Sequence, residues 1–429
     1  MTTHSDAHTS AARESRGRGG RIVITAVDCM TAVGLHAEST AASVRAGVSG
    51  LRLSDQYEDS SGSPIVESCI PWLKQEEEPP AANEPEPLDD GPAPGPAWDE
   101  EESEAGEGEG IDEESEPEAS EDADAYELAR QADDVERAVQ AAHECLAGLL
   151  MTYFGPGERG GGAASLFLGV AEGARPGPRF EGARQESANG LLALLSRRVV
   201  GAELSVLRTG NASSIHGLKL AAASLASDPS SMCVVGAFDS LLSNDTLNWY
   251  EAAERLKSGS LGRNHGLSPA EAVGFAVVEM VASAERSGRR ILAEVAGIGL
   301  ATEPSPVLSD RPSRGQGLTE ACRIALAESG VPPREVSTVL GDLDGEFHRA
   351  KEWALAETRC FGSAGERVLV HPADCLGSVG ASSSAVLIAI AAVGISRRWF
   401  TAPVLVFSSD DAGECGAVVL TPPSDSERS

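Results

Sequence analysis

Thr209-Gly210-Asn211-Ala212-Ser213-Ser214-Ile215-His216-Gly217 leads into a segment with Ile215, Leu218, Ala222 and Leu225 at helical spacing, and the chain then passes to Met232-Cys233-Val234-Val235-Gly236. The first stripe is one apolar face of a helix, with Gly217 and Ala221 to Ala223 leaving room for close packing, and the second run has the length and composition of a strand. The same alternation continues outward in both directions. Strands are expected over residues 21–27, 165–170, 232–236, 274–281, 291–296, 336–340, 367–371, 402–407 and 416–421. Leu128, Val135, Val139, Ala142, Leu146 and Leu149 make the clearest helix, which the Gly-rich stretch 155–162 ends. Short Val- and Ile-rich runs alternating with helical stretches predict an α/β fold. The segments 234–240 and 404–410 both run from an apolar strand through Gly or Ser to an acid, an echo that suggests two related halves.

The chain has 429 residues and a formal charge of −32, a field that repels phosphate backbones and anionic headgroups, so neither nucleic acid nor a membrane surface is an expected partner. The acid is concentrated. Residues 76–124 hold 22 of the 66 Asp and Glu, eight of the Pro and no Lys or Arg, and without them the charge is −10. Such a composition buries too little apolar surface to offset the entropy of ordering, so a disordered acidic insert is expected there. Its deletion, closed by a short Gly-Ser linker, is expected to leave the thermal melt nearly unchanged, because doubling a loop costs only ~0.6 kcal/mol. A loss of several degrees would mean that it packs on the body. Residues 1–20 are polar, with Arg13, Arg16 and Arg18, and read as a loose tail without a secretory signal. The longest apolar run, 385–395, is far short of a membrane span. A cytoplasmic location is expected. The eight Cys form no C-x-x-C pair and have no His at ligand spacing, so reduced thiols and no metal or other cofactor are expected.

Several segments together resemble the β-ketoacyl-ACP synthases of the thiolase-like superfamily. Val23-Ile24-Thr25-Ala26-Val27, Met30-Thr31-Ala32-Val33-Gly34 and Ser43-Val44-Arg45-Ala46-Gly47-Val48-Ser49-Gly50 are similar to that family's first strand, its Thr-Pro-Leu-Gly turn and its Leu-Arg-Ala-Gly-x-Ser-Gly stretch. Val235-Gly236-Ala237-Phe238-Asp239-Ser240 is similar to its Gly-Gly-x-Asp-Ser strand end, and residues 267–279 to its Pro-Gly-Glu-Gly-Ala-Gly-x-Leu-Val-Leu-Glu segment. The resemblance implies a thiolase-like α/β fold of two related βαβαβ halves in layers α-β-α-β-α, one half over 21–285 carrying the acidic insert, the other over 286–422, and a tail over 423–429.

The resemblance also locates the positions where the family does its chemistry. Its nucleophile is a Cys at a strand-to-helix elbow, and Asn211 stands there; an amide has no low-energy anion and cannot form an acyl-enzyme. Ser213 and Ser214 are read as helix caps and His216 as a packed helix residue. The family's His-Gly-Thr turn is matched by Val339-Leu340-Gly341-Asp342-Leu343-Asp344-Gly345-Glu346, with Asp342 near the His position and the two Asp read as solvated turn residues. Its Lys-x-x-x-Gly-His turn is matched by Ala373 to Ser378, with Ala373 for Lys and Ser378 for His. Its apolar gate loop is matched by Asp410-Asp411-Ala412-Gly413-Glu414-Cys415. Carboxylates in that loop oppose both an acyl chain and a developing oxyanion.

With no intact catalytic group, the first expectation is a synthase-like subunit of fatty-acid or polyketide metabolism that does not condense. It would resemble a chain-length factor, although that case has Gln rather than Asn and an unaltered gate. Expected partners are a second copy or an active synthase, pairing along the strand at 203–208, and an acyl carrier protein. Two other readings stay open. One is an acyltransferase using Cys375 or Cys415 with His348 or His371; the other is a binding module whose acidic insert recruits a basic partner.

Overall fold

The computed structural model describes residues 20–70, 121–175, 180–259, 263–309, 311–362 and 365–424, and for 121–136 and 180–185 the backbone alone. The first half of the chain supplies β1 (Ile22–Met30), α1 (Ala37–Ala46), a hairpin of β2 (Arg52–Glu58) and β3 (Pro64–Glu67), α2 (Glu121–Phe154), β4 (Ala164–Gly169), α3 (Phe180–Ser196), β5 (Ala202–Leu207), α4 (Ser213–Ser227), β6 (Met232–Ser240), α5 (Asn244–Ala252) and β7 (Glu271–Met280). After α6 (Val281–Arg286) come β8 (Ala293–Thr302), α7 (Gln316–Ser329), β9 (Thr338–Gly341), α8 (Phe347–Phe361), β10 (Val368–Val370), α9 (Ala373–Leu376), α10 (Ser383–Ser396), β11 (Val404–Ser409) and β12 (Glu414–Thr421).

One topology occurs twice. The order β5-β4-β6-β7-β1 is matched by β10-β9-β11-β12-β8, so each half reads 3-2-4-5-1 in its own chain order, with the fifth strand antiparallel to its neighbours. The echo between 234–240 and 404–410 is thereby explained, since β6 and β11 are the fourth strands of the two halves. Ile22 to Ile24 pair antiparallel with Val295 to Ala293 and join the halves into one hydrogen-bonded sheet.

Two helices lie between the halves. α4 packs on β4 and β6 and also on β8 and β12, while α10 packs on β11 and also on β1 and β7. α10 is apolar all round, and Ser383 to Ile395 are all buried; a helix with no polar face needs cover on every side, and each buried Leu or Ile there contributes ~2 kcal/mol. α2 and α3 cover the outer face of the first half and α7 and α8 that of the second, which completes the α-β-α-β-α layering. β6 and β7 have every residue buried, as expected of strands covered on both faces.

All nine expected strands are present. The hairpin β2–β3 was not among them, because Arg52-Leu53-Ser54-Asp55-Gln56-Tyr57-Glu58 is polar and mostly exposed and lacks a β signature. Within the expected acidic insert, 76–120 lies outside the described residues, but 121–124 is the first turn of α2. Acidic side chains favour a helix N-terminus through the macrodipole, so charge alone misplaced that boundary. Residues 1–19 and 425–429 of the expected tails also lie outside the described residues. No described helix is long and apolar enough to cross a membrane.

Candidate functional site

The two inner helices each begin at an elbow, and the elbows face one another. Gly210 and Gly380 have φ of +46° and +54°, where a Cβ is strained. A Cβ at Gly210 would lie 2.7 Å from Glu172 Oε2 and 2.8 Å from Asp410 Cβ; one at Gly380 would lie 2.3 Å from Asp239 Oδ2. Each half thus sends the acid at the end of its fourth strand to the other half's elbow. Asp239 Oδ2 accepts from Ala381 N at 2.7 Å and Arg175 clasps the same carboxylate at 2.6 Å to both oxygens. Ser213 and Ser214, read from sequence as helix caps, do not cap their own helix. Ser213 Oγ donates to Ala381 O at 3.2 Å and Ser214 N donates to Ser384 Oγ at 3.0 Å, so each inner helix is tied to the start of the other.

Asn211 and Asp342 are brought together. Asn211 Nδ2 donates to Asp342 Oδ2 at 3.2 Å, and the same oxygen accepts from Ser409 N at 3.2 Å and from Ser408 Oγ. Asp342 is buried rather than solvated, which corrects the sequence reading; β9 carries it into the interior instead of ending at the surface. Burial raises its carboxyl, against the pull of Arg349, Ser408 and Asn211, and its Oδ1 has no hydrogen-bond partner. Ser378 Oγ donates to Asp344 Oδ2 at 3.4 Å, and Ala373 opens α9 on the same cavity. That cavity, lined by Asp342, Asp344, Ala373, Leu376, Ser378 and Val386, is ~20 Å³. It has room for about one water. Cavities of about 760 and 850 Å³ lie at the other end of α10, beside Arg289, Arg290, Ser396 and Leu292, about 21 Å from the elbows by helix rise.

The loop at the gate position is pinned by charge. Asp411 pairs with Arg255 at 2.7 Å and with Arg349 at 2.9 Å, and Arg255 also makes two 2.7 Å bonds to Glu346. Arg349 Nη1 further donates to Ser409 Oγ at 2.8 Å and to Ser409 O. Burial opposes ionisation of Asp411, but Arg349 and Arg255 hold it at about 2. Asp410 Oδ1 accepts from Gly413 N at 2.6 Å and Glu414 N at 2.7 Å, while its Oδ2 is buried without a partner; burial, then Glu172, pushes it up to about 7. Asp344 also reaches about 7, through burial and then Glu346. Among the described residues no group of three His, Cys, Asp or Glu is placed to hold a metal ion.

These surroundings speak against the acyltransferase reading. Burial raises Cys415 far above the thiol range, with Glu352 and Glu303 adding to it, and burial and then Asp374 raise Cys375. Cys415 Sγ donates to Gly413 O at 3.4 Å. His348 is pushed down to about 3 by burial, Arg349 and Arg255, and His371 pairs with Asp374 at 2.8 Å. His216, in the first turn of α4, lies 3.5 Å from Glu414 at the start of β12. Sequence reasoning missed Glu172, Arg175, Arg255 and Arg349. The last had a legible signal: Arg349, Glu352, Trp353 and Ala356 are the buried stripe of α8 at helical spacing, and charges inside such a stripe mark a buried ion pair.

Known structures with this topology include the ishigamide ketosynthase/chain length factor, at TM-score 0.63 and 19% identity over 95% of this chain and 100% of that one. The chain has the ketosynthase fold. A type II PKS acyl-carrier protein in complex with its ketosynthase bound to the hexaketide matches this ketosynthase-fold chain at TM-score 0.62 and 16% identity, over 95% and 100% of the two chains. The ketosynthase from module 6 of the bacillaene synthase from Bacillus subtilis 168 matches at 0.64 and 12%, over 94% and 73%. No family model and no curated protein matches the sequence.

Proposed function

We propose that this chain is a non-condensing, chain-length-factor-like subunit of a polyketide or fatty-acid synthase. One observation carries the reading: where the fold family meets its acyl substrate, Asn211 is bonded to a buried Asp342 beside a cavity of ~20 Å³. Claisen chemistry needs a covalent acyl carrier and donors aimed at a developing oxyanion. The elbow offers an amide for the first and carboxylates for the second. Incubation with acyl carrier protein charged with an acyl chain is expected to leave the intact mass unchanged. Asn211→Cys is expected to form no acyl adduct either, since Asp342, Ala373 and Ser378 remain. A stoichiometric adduct on the wild-type chain would remove the proposal.

The partner in this reading is a condensing synthase, docked along β5, with an acyl carrier protein reaching the pair. β5 ends the sheet, bonds β4 on one side, and exposes Glu203, Ser205 and Val206. Edge strands of this kind are association surfaces unless covered. Leu207 accepts from Val170 N on the β4 side, so by strand alternation Val206 presents its N–H outward; Val206→Pro removes that outward donor and is expected to convert a dimer to monomer in sedimentation, with the melt of the monomer little changed. A wild-type monomer at micromolar concentration, alone and with a synthase, would leave the binding-module reading ahead.

A further inference from the structure

We propose that Cys360 and Cys322 form a peroxide-sensitive dithiol that closes to a disulfide between α8 and α7. The two helices pack side by side on the outer face of the second half, and both thiols belong to the cluster that Trp353, Phe361, Leu318 and Leu326 fill between them. Cys360 Sγ lies 3.5 Å from the carbonyl of Thr319, one turn before Cys322, and the two thiols are near enough for each to act on the ionisation of the other. Arg359 ties the same turn, with Nη1 at 3.2 Å from both Thr319 Oγ1 and Gly315 O.

The two sulfurs are chemically unequal, as a reactive pair requires. Cys360 is half-buried, whereas Cys322 is fully enclosed. The neighbouring Cys322, then Arg323 and Arg359, lower the Cys360 thiol from its ordinary value, against burial and Glu320. Cys29, Cys145, Cys233, Cys375 and Cys415 are all pushed the other way by burial. Reactive cysteines sit in such partly exposed, electropositive places.

The oxidant is hydrogen peroxide. The Cys360 thiolate attacks one peroxide oxygen; the S–O bond forms as the O–O bond breaks, and the departing hydroxide takes a proton to leave as water. Cys360 is then a sulfenic acid. The Cys322 sulfur displaces that oxygen, forming S–S and breaking S–O, and its proton leaves with the oxygen as a second water. Two thiols have lost two electrons to one peroxide. The product fixes α8, whose Arg349 and Glu352 reach the loop at 408–414, onto α7.

The test treats the full chain with hydrogen peroxide, quenches by alkylation and maps the peptides. The expected result is a Cys322–Cys360 crosslink, an intact mass lower by two hydrogens, and a melting temperature several degrees higher that returns to its starting value with dithiothreitol. Cys360→Ser is expected to abolish all three. Cys322→Ser is expected to leave a sulfenic acid on Cys360 that dimedone labels. A chain that stays reduced under conditions that oxidise free glutathione overturns the proposal. So does a crosslink of either residue to Cys415, or oxidation that goes equally far in Cys360→Ser.

Discussion

Arg349→Ala is expected to cost roughly 3–5 kcal/mol of stability, the range for removing one partner of a buried ion pair. Its guanidinium is buried between Asp411 and Ser409 and lies close enough to Asp342 and Asp344 to favour their ionised forms. Without it, Asp411 keeps Arg255, which already serves Glu346, and Asp342 keeps hydroxyl, amide and backbone donors but loses its nearest cation. Set against a total stability of about 5–15 kcal/mol, that is a large fraction. Arg397→Ala is the control: its 2.6 Å pair with Glu38 has both side chains about half exposed or more, and such pairs contribute ~1 kcal/mol or less. Urea midpoints measure both. Equal losses would mean that the buried network does not hold the loop.

Stability is expected to rise as pH falls from 8 to 6. Asp344 and Asp410 titrate near 7 in the folded chain, against 3.8 when unfolded, so their protonated forms are favoured by folding. The contribution is complete below 3.8 and is lost as pH rises through 7, at about 1.4 kcal/mol per pKa unit per group. Asp28, Glu172, Asp342 and Glu352 are raised by burial and act in the same direction. His348, depressed to about 3, and His216 act the opposite way, since the unfolded imidazole gains its proton near 6.5. They blunt the gain below that pH. Asp411, held at about 2, loses its contribution only as pH falls from 3.8 toward 2. A net gain of a few kcal/mol between pH 8 and 6 is expected, and Asp410→Asn is expected to flatten it while raising stability at pH 8. The amide keeps an acceptor for Gly413 N and Glu414 N and removes the charge. Denaturant midpoints that are flat or fall toward pH 6 would contradict this account.

The fold was legible because its signals are local. β6 and β7 are continuous apolar runs, α10 is apolar all round, and small residues on α4 announce close packing. The candidate site was half legible. Motif spacing placed Asn211, Asp342 and Ser378 at corresponding positions, and the first two do meet, although they are 131 residues apart. What could not be read was the medium around them. A carboxylate in a turn looks the same in sequence whether water or a guanidinium faces it, and the cations here come from distant segments, at 175, 255 and 349. Only their convergence turns a row of acids from a solvated loop into a locked interior. The same ignorance of tertiary partners made Ser213 and Ser214 look like caps.

The reciprocal placement of α4 and α10 has a consequence for how the chain can be divided. Each inner helix finishes the interior of the half to which it does not belong, and the sheet seam between β1 and β8 is three residue pairs long. A cut in the link at 287–292 would therefore yield two fragments, each lacking one wall of its interior. Synthesised together, they are expected to recombine into the whole; made singly, each would remain collapsed without a fixed interior. Duplicated though it is in outline, the molecule behaves as a dovetail joint, and neither piece is a unit that evolution or an engineer can exchange alone.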